Sequence, residues 1–495
     1  MALNPGRLLI KRYGLPEVVR LLATRRMLVA LLMGFSSGLP LYMIGILLLA
    51  WLTLRGTSIE IIGLFALVGL PYIFKFVWSP LFDRYRLPFL GRRRGWLFAL
   101  QIVTAVLIAA LGLVGVPHAN ALATANPARV LAAHPFAPSL ADIPALASAY
   151  LDTLANVLPG LVAIAITALA VAFFSASQDI MIGAYRRESL GDDREQSLGA
   201  SLYVWGYRLA FLFTGGIGLI LAFHIPFEEV FYIMAACMGV GIIATLIARE
   251  PPETGTPPAN LRRAVVDPFV AFFKAYRSPG LTVDLRAPGR LPYAAGTTGQ
   301  FFRNYWPALA LLVFVLLYKL GDALALSLAT PFYLKMGFTT QEIGVVTKLF
   351  GFWATMGGIF VGGVLILRLG MIRGLLIFGI LQGASSALFA ILTQTGPNNT
   401  WLAAVIVLQH FADGMGTAAL VGFMATLTDR RFTATQFALL TALASVPRVV
   451  FSSFTGYMVH SLGWAMFFIV CALLAIPALT LIPFLRKREA RPAGT

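Results

Sequence analysis

Twelve long apolar segments run through this 495-residue chain, and its positive charge is confined almost wholly to alternate connections between them. A bilayer core needs ~20 consecutive apolar residues per helix. The segments fall at 28–54, 59–82, 95–116, 158–180, 199–222, 227–248, 306–334, 341–366, 371–393, 400–427, 436–459 and 463–485. Of 38 Lys and Arg, 30 lie in one set of connections and the two tails, counting Arg373 at the entry to the ninth segment with the connection before it. Three lie in the other set (Arg55, Arg129 and Lys335), and five lie inside the segments. Positive residues are retained on the cytoplasmic side, so both termini are expected there. The pattern predicts an all-α polytopic inner-membrane protein with 12 transmembrane helices.

Composition excludes several function classes. Charged residues are 12% of the chain, against about 25% in soluble domains. The net charge of +17 is spread over loop ends, with no basic stripe interleaved with stacking aromatics. That argues against nucleic acid and for topology plus attraction to anionic membrane lipid. Cys237 and Cys471 lie in spans 6 and 12 and read as reduced packing residues. No Cys/His cluster has metal-ligand spacing, so no metal is expected. The five histidines are scattered, and neither a nucleophile–base set nor a phosphate-binding loop is present. These absences speak against an enzyme and against ATP-driven transport. No cofactor beyond an ion gradient is implied, and a monomer is expected.

The spans divide six and six. A tail (1–27) precedes a first bundle (28–248) that carries an elaboration at 117–157. A cytoplasmic connection (249–305), a second bundle (306–485) and a tail (486–495) follow. This is the layout of a transporter built from two related halves. In the connection, Phe269, Phe273 and Tyr276 recur at helical spacing beside Lys274 and Arg277, predicting a short helix lying on the inner leaflet. Residues 278–300 read as a linker, and Ile143 to Leu158 as one amphipathic helix outside the membrane. The entries to spans 2 and 8, Ser58-Ile-Glu60 and Thr340-Gln-Glu342, repeat faintly.

A charge at the bilayer centre costs about 2.5–3.5 kcal/mol on insertion scales. The intramembrane ionisable residues are Lys75, Asp179, Arg208, Lys319, Asp322, Lys348, Asp413 and Arg448. Lys319 and Asp322 are three apart, so they share a helix face and should pair, facing the cavity between the halves. Such a pair is either a structural brace or a proton site; Asp413 and Asp179 are the further proton-coupling candidates. Three carboxylates cannot neutralise five cations, so an anionic substrate is expected to meet the remainder. Arg208 and Arg448 occupy corresponding spans of the two halves, and arginine suits bidentate carboxylate recognition. Lys75 and Lys348 are weaker candidates, and snorkelling or bracing is the alternative for all four. Gln101, Gln178, Gln382, Gln409, Tyr42 and Tyr207 are candidate neutral contacts, with helix packing as the alternative for each glutamine.

The loop after span 2 reads Trp78-Ser-Pro-Leu-Phe-Asp83-Arg84, then Gly91-Arg92-Arg93-Arg94-Gly95. It resembles the cytoplasmic signature loop of the major facilitator superfamily, whose acid caps a helix end while its arginines reach neighbouring helices as a conformational latch. The resemblance extends to Gly34-Phe-Ser-Ser-Gly38-Leu-Pro40, Gly206-Tyr207-Arg208, Leu317-Tyr318-Lys319-Leu-Gly321-Asp322 and Ala434-Thr435-Gln436-Phe437. By these motifs the chain resembles the AmpG-type muropeptide permeases of that superfamily. The resemblance implies proton-driven import of N-acetylglucosaminyl-1,6-anhydro-N-acetylmuramic acid, with or without stem peptide, for cell-wall recycling and β-lactamase signalling. The chain departs from that pattern at Gly183, Gln409 and Asp413, so the proton site does not transfer directly. The rival readings are a facilitator of another anionic or amphipathic solute and a membrane receptor or enzyme.

Overall fold

The computed structural model describes residues 24–75, 77–85, 87–124, 143–190, 193–251, 298–427 and 433–489. The expected linker helix around 269–277 lies outside them, as do residues 1–23, 125–142 and 490–495. The described residues are helical almost throughout. They form α1 (Arg25–Leu54), α2 (Ile59–Phe74), α3 (Arg92–Thr124), α4 (Ile143–Ser189), α5 (193–224) and α6 (Phe227–Ile247). A second set follows: α7 (298–335), α8 (340–369), α9 (Met371–Thr395), α10 (Asn399–Thr426), α11 (433–462) and α12 (464–489).

Ten helical stretches among the described residues are long and apolar enough to cross a membrane. One, Ala442–Pro483, has 42 residues, or ~63 Å at 1.5 Å per residue, twice the bilayer core. It is broken at Gly463, whose φ of +75° and ψ of 166° are not helical. Only glycine adopts such a backbone without strain, and it turns the chain from α11 into α12. The shorter apolar helix α2 completes twelve passages.

Several boundaries differ from the sequence expectation. Span 2 is not one helix to residue 82: α2 stops at Phe74, and a short helix, Ser79–Arg84, follows. Pro80 lacks the N–H a continuous helix needs and sits in the first turn of that second helix, where the loss is harmless. Span 7 begins at Thr298 and is interrupted at Lys319, whose φ of −103° and ψ of 5° leave the helical region. Residues 143–158 are helical, but they continue α4 rather than forming a separate element.

Two bundles result. In the first, α1 packs on α4, α5 and α6, and α3 on α4 and α6. In the second, α10 packs on α8 and α9, and α12 on α7 and α9. The apolar cores show how they meet. One core holds Leu47, Trp51, Ile62 and Phe231 of the first bundle together with Leu328, Phe332, Phe338 and Phe468 of the second. Two others are private: Val29, Leu97, Met181 and Ala244 on one side, Phe314, Phe378, Phe423 and Ile482 on the other. The halves are therefore fused at the end remote from the chain termini and part toward the terminal end.

At the fused end the helices touch through main chain. A Cβ on Gly63 of α2 would lie 2.8 Å from the nitrogen of Gly456 in α11, and one on Gly344 of α8 would lie 2.8 Å from the carbonyl of Gly216 in α5. His460 Nδ1 and Glu60 Oε1 meet at 2.5 Å across the same seam. Three π-helical stretches, Met43–Leu48 in α1, Phe213–Ile217 in α5 and Ile343–Phe350 in α8, stack in sequence there.

Candidate functional site

The break at Lys319 frees its side chain from the α7 stack and aims it at α10. Its ammonium donates to Asp413 Oδ1, to the Asp413 carbonyl at 3.2 Å and to Asp322 Oδ2 at 3.4 Å. Gln409 donates through Nε2 to the other oxygen of Asp322, and Thr417 Oγ1 lies 3.5 Å from Asp413 Oδ1. The expected Lys319–Asp322 pair is present, but Asp413 is the closer partner of the lysine. The side chains of Lys319, Asp322 and Asp413 are 14%, 7% and 20% exposed. Asp322 thus lies behind the other two, turned into the seam of α7, α10 and α12 rather than facing the cleft as expected. Two carboxylates share one ammonium, and the cluster carries one net negative charge when both are ionised.

The first half holds a counterpart. Asp179 of α4 accepts from Ser37 of α1 and lies 3.5 Å from Lys75 Nζ. Ser37 in turn meets the Tyr203 hydroxyl of α5 at 2.7 Å. In each half an acid on the fourth helix is tied to the first, through Ser37–Asp179 or Lys319–Asp413. Ser37 lies in the Gly34–Pro40 motif, but neither it nor Tyr203 is singled out from sequence as a site residue.

Arg208 and Arg448 have no carboxylate within ion-pair reach among the described residues. Both act electrostatically on the half-buried Tyr42 of α1, as does Asp413. Arg448, which is exposed, also acts on Tyr72 and Tyr207 of the opposite half. Tyr42 stacks edge-on against Tyr207 at 5.3 Å and Phe211 at 5.0 Å. Tyr42, Tyr207 and Phe211 thus form an aromatic wall of α1 and α5, with a cation of each half within electrostatic reach of it. The side chain of Lys348 lies outside the described residues.

Of the two readings of the glutamines, the structure fits helix packing. Gln101 is fully buried, accepting from Thr245 Oγ1 at 2.8 Å between α3 and α6. Gln178 is fully buried and donates to Ser36 at 2.8 Å. Gln382 is buried against Gly416, and Gln409 belongs to the acid cluster. None of the four lines the cleft; burial behind the small residues of neighbouring helices puts them in the helix seams.

The described contacts of the arginine loop lie in the first half. Arg92 and Arg93 both reach Glu188 of α4 at 2.6 Å. Glu250 accepts the N–H groups of Arg93 and Arg94 at 2.7 and 3.1 Å, capping the start of α3. Arg94 donates to the carbonyls of Thr245 and Leu246 at the end of α6. The side chains of Asp83 and Arg84 lie outside the described residues. Glu188 and Glu250, not foreseen, are the acids that these arginines meet.

Two six-helix bundles fused at one end over a charged, aromatic cleft make the protein a membrane transporter of the major facilitator type, not an enzyme. Residues 311–495 match the Major Facilitator Superfamily, and residues 26–186 match the family described as acetyl-coenzyme A transporter 1. Among solved structures, a bacterial homologue of the human lysosomal transporter Spinster superposes with a TM-score of 0.63 at 15% identity, over 96% of this chain and 100% of that one. A nucleoside transporter gives 0.62 at 11%, over 93% and 100%. The anhydromuropeptide permease of Escherichia coli (strain K12) is 37% identical over 493 residues, 97% of this chain and 86% of that one. A putative transporter AmpG 4 of Rickettsia felis is 29% identical, over 95% of this chain and 99% of that one. The chain belongs to the AmpG-type anhydromuropeptide permease family.

Proposed function

We propose that this protein imports anhydro-muropeptides, N-acetylglucosaminyl-1,6-anhydro-N-acetylmuramic acid with or without stem peptide, across the bacterial inner membrane for peptidoglycan recycling. The observation that carries the reading is the pair of arginines without a carboxylate partner among the described residues, Arg208 and Arg448, on opposite halves beside the Tyr42–Tyr207 wall. A muropeptide offers a lactyl or peptide carboxylate for a guanidinium fork and sugar faces for the tyrosines. With both termini cytoplasmic, the fused end is periplasmic and the conformation is inward-open. Alternating access then consists of parting α2 from α11 and α5 from α8. The proton-motive force acts through the Lys319–Asp322–Asp413 cluster, where one added proton cancels the net charge of a buried group and so removes its desolvation cost. The Lys75–Asp179 pair braces the first half. The permease works as a monomer.

The match of residues 26–186 to an acetyl-coenzyme A transporter family favours a second reading, a nucleotide conjugate as the anionic solute. The test is uptake of labelled anhydro-muropeptide into membrane vesicles under an imposed pH gradient, with and without an uncoupler, and with excess unlabelled acetyl-coenzyme A. Uncoupler-sensitive uptake that the conjugate does not compete with is expected. Absence of uptake by correctly inserted protein sinks the muropeptide reading, and competition by the conjugate supports the alternative.

A further inference from the structure

Gln409 has one satisfied end and one bare end. Its Nε2 donates to Asp322 Oδ1, while its Oε1 is fully buried and has no hydrogen-bond partner among the described residues. The residue itself is 0% exposed. A buried carbonyl without a partner is costly to keep; Gln178, whose Nε2 donates to Ser36, has the same bare oxygen, and what sets Gln409 apart is that its partner is an acid. The asymmetry makes sense if the neighbouring acid changes state. A carboxylate only accepts hydrogen bonds, whereas a carboxylic acid also donates one. An amide is the side chain that serves both: the nitrogen faces the anion, and after a half-turn of its terminal torsion the oxygen faces the acid.

We propose that Gln409 is the positioning residue that registers the protonation of Asp322, rotating its amide as the acid takes up a proton. This rests on the reading of Asp322 as the coupling acid. The step conserves atoms and charge. A proton that reaches the cluster from the cleft side adds to Asp322 Oδ1, the Gln409 N–H···O bond breaks, and an O–H···O bond to Gln409 Oε1 forms. Lys319 stays on Asp413, which already holds it closer than Asp322 does. The groups facing Asp322 are Lys319 and Tyr318 of α7, Gln409 and Asp413 of α10, and Cys471 of α12. Tyr318 gives its hydroxyl to the Leu375 carbonyl, and Gln409 is the neutral group described as hydrogen-bonded to Asp322; its amide can exchange a donor for an acceptor without taking or losing a proton. Because Gln409 lies on the same helix as Asp413, its rotation reports the state of the acid to the element that lines the cleft.

A charge-assisted bond is roughly twice as strong as a neutral one, so removing the amide disfavours the anion more than the acid. Gln409→Met keeps the volume and removes both bonds. The experiment is pH-difference infrared spectroscopy of purified protein without substrate, following the protonated-carboxyl stretch that Asp322→Asn abolishes. In Gln409→Met the titration midpoint of that band should rise by up to about one pH unit, a five- to tenfold gain in proton affinity. Its frequency should also rise, because the new acceptor bond is missing. Gln409→Glu guards against misfolding of the first variant and should raise the midpoint further by adding a second acid. An unchanged midpoint and frequency in folded Gln409→Met, or the absence of any Asp322-dependent band, overturns the proposal. The spectroscopic readout needs no substrate, so failure of muropeptide uptake refutes the transport reading alone.

Discussion

Replacing Gly456 by leucine should hold the transporter open on the side that is closed here. A Cβ at this position would lie 2.6 Å from the Glu60 Cα, against an ordinary carbon–carbon separation of about 3.5–4.0 Å. The neighbour is backbone and cannot rotate away, so α2 and α11 must separate by about 1 Å. Overpacking of this kind costs about 1–3 kcal/mol. The cost falls only on the conformation in which the two helices touch, so the equilibrium moves by roughly 5–150-fold toward the outward-open form. The assay places a cysteine at Tyr42 in a background with Cys237 and Cys471 replaced by serine, and labels it with an impermeant reagent from the outer face. Labelling should accelerate in Gly456→Leu while net uptake falls at unchanged protein level. Gly239→Ala, whose new methyl would meet nothing within 4 Å, is the control and should behave as the parent. Parental labelling and uptake in Gly456→Leu would refute the claim that these helices form the outer seal.

Three further outcomes follow from the charged groups. Lys319→Met leaves two buried carboxylates without their cation and should cost about 3–5 kcal/mol, read as loss of folded protein; adding Asp413→Asn should restore the protein but not pH-driven uptake. Arg448→Lys and Arg208→Lys keep the charge and lose the planar fork, so each should weaken uptake of peptide-bearing and peptide-free muropeptide by different factors, and equal negligible effects at both would reduce these arginines to braces. Glu188→Gln removes the acid shared by Arg92 and Arg93 and should lower the thermal stability of the purified protein by several degrees, with KM unchanged.

The passages and the ionisable residues within them were legible because lipid penalises polarity so heavily that hydropathy alone marks the spans. The Lys319–Asp322 contact was legible from a spacing of three. The closer partner, Asp413, lies 94 residues away, and no local rule predicts which of two acids a lysine will prefer. The same limit hid Glu188 and Glu250, 95 and 157 residues from Arg93. The interruptions at Lys319 and after Phe74 were missed for another reason. Hydropathy averages over a window, and a helix that breaks for one residue leaves that average unchanged. For the glutamines the sequence left both readings open, because an amide in a seam and an amide in a cleft have the same sequence signature.

The three stacked π-helical stretches have a mechanical consequence. Each π turn holds an extra residue relative to the α turn it replaces. Converting one to α-helix would rotate everything beyond it by ~100° and draw it along the axis by ~1.5 Å. Such a stretch begins directly after Tyr42 in α1, another follows Phe211 in α5, and the third lies on α8 across the seam. They form a column of stored slack where the halves are joined, at the depth where the aromatic wall ends. The wall can therefore be wound past the arginines by exchanging one hydrogen-bond register for another, and the outer ends of the helices can slip without their inner ends unravelling.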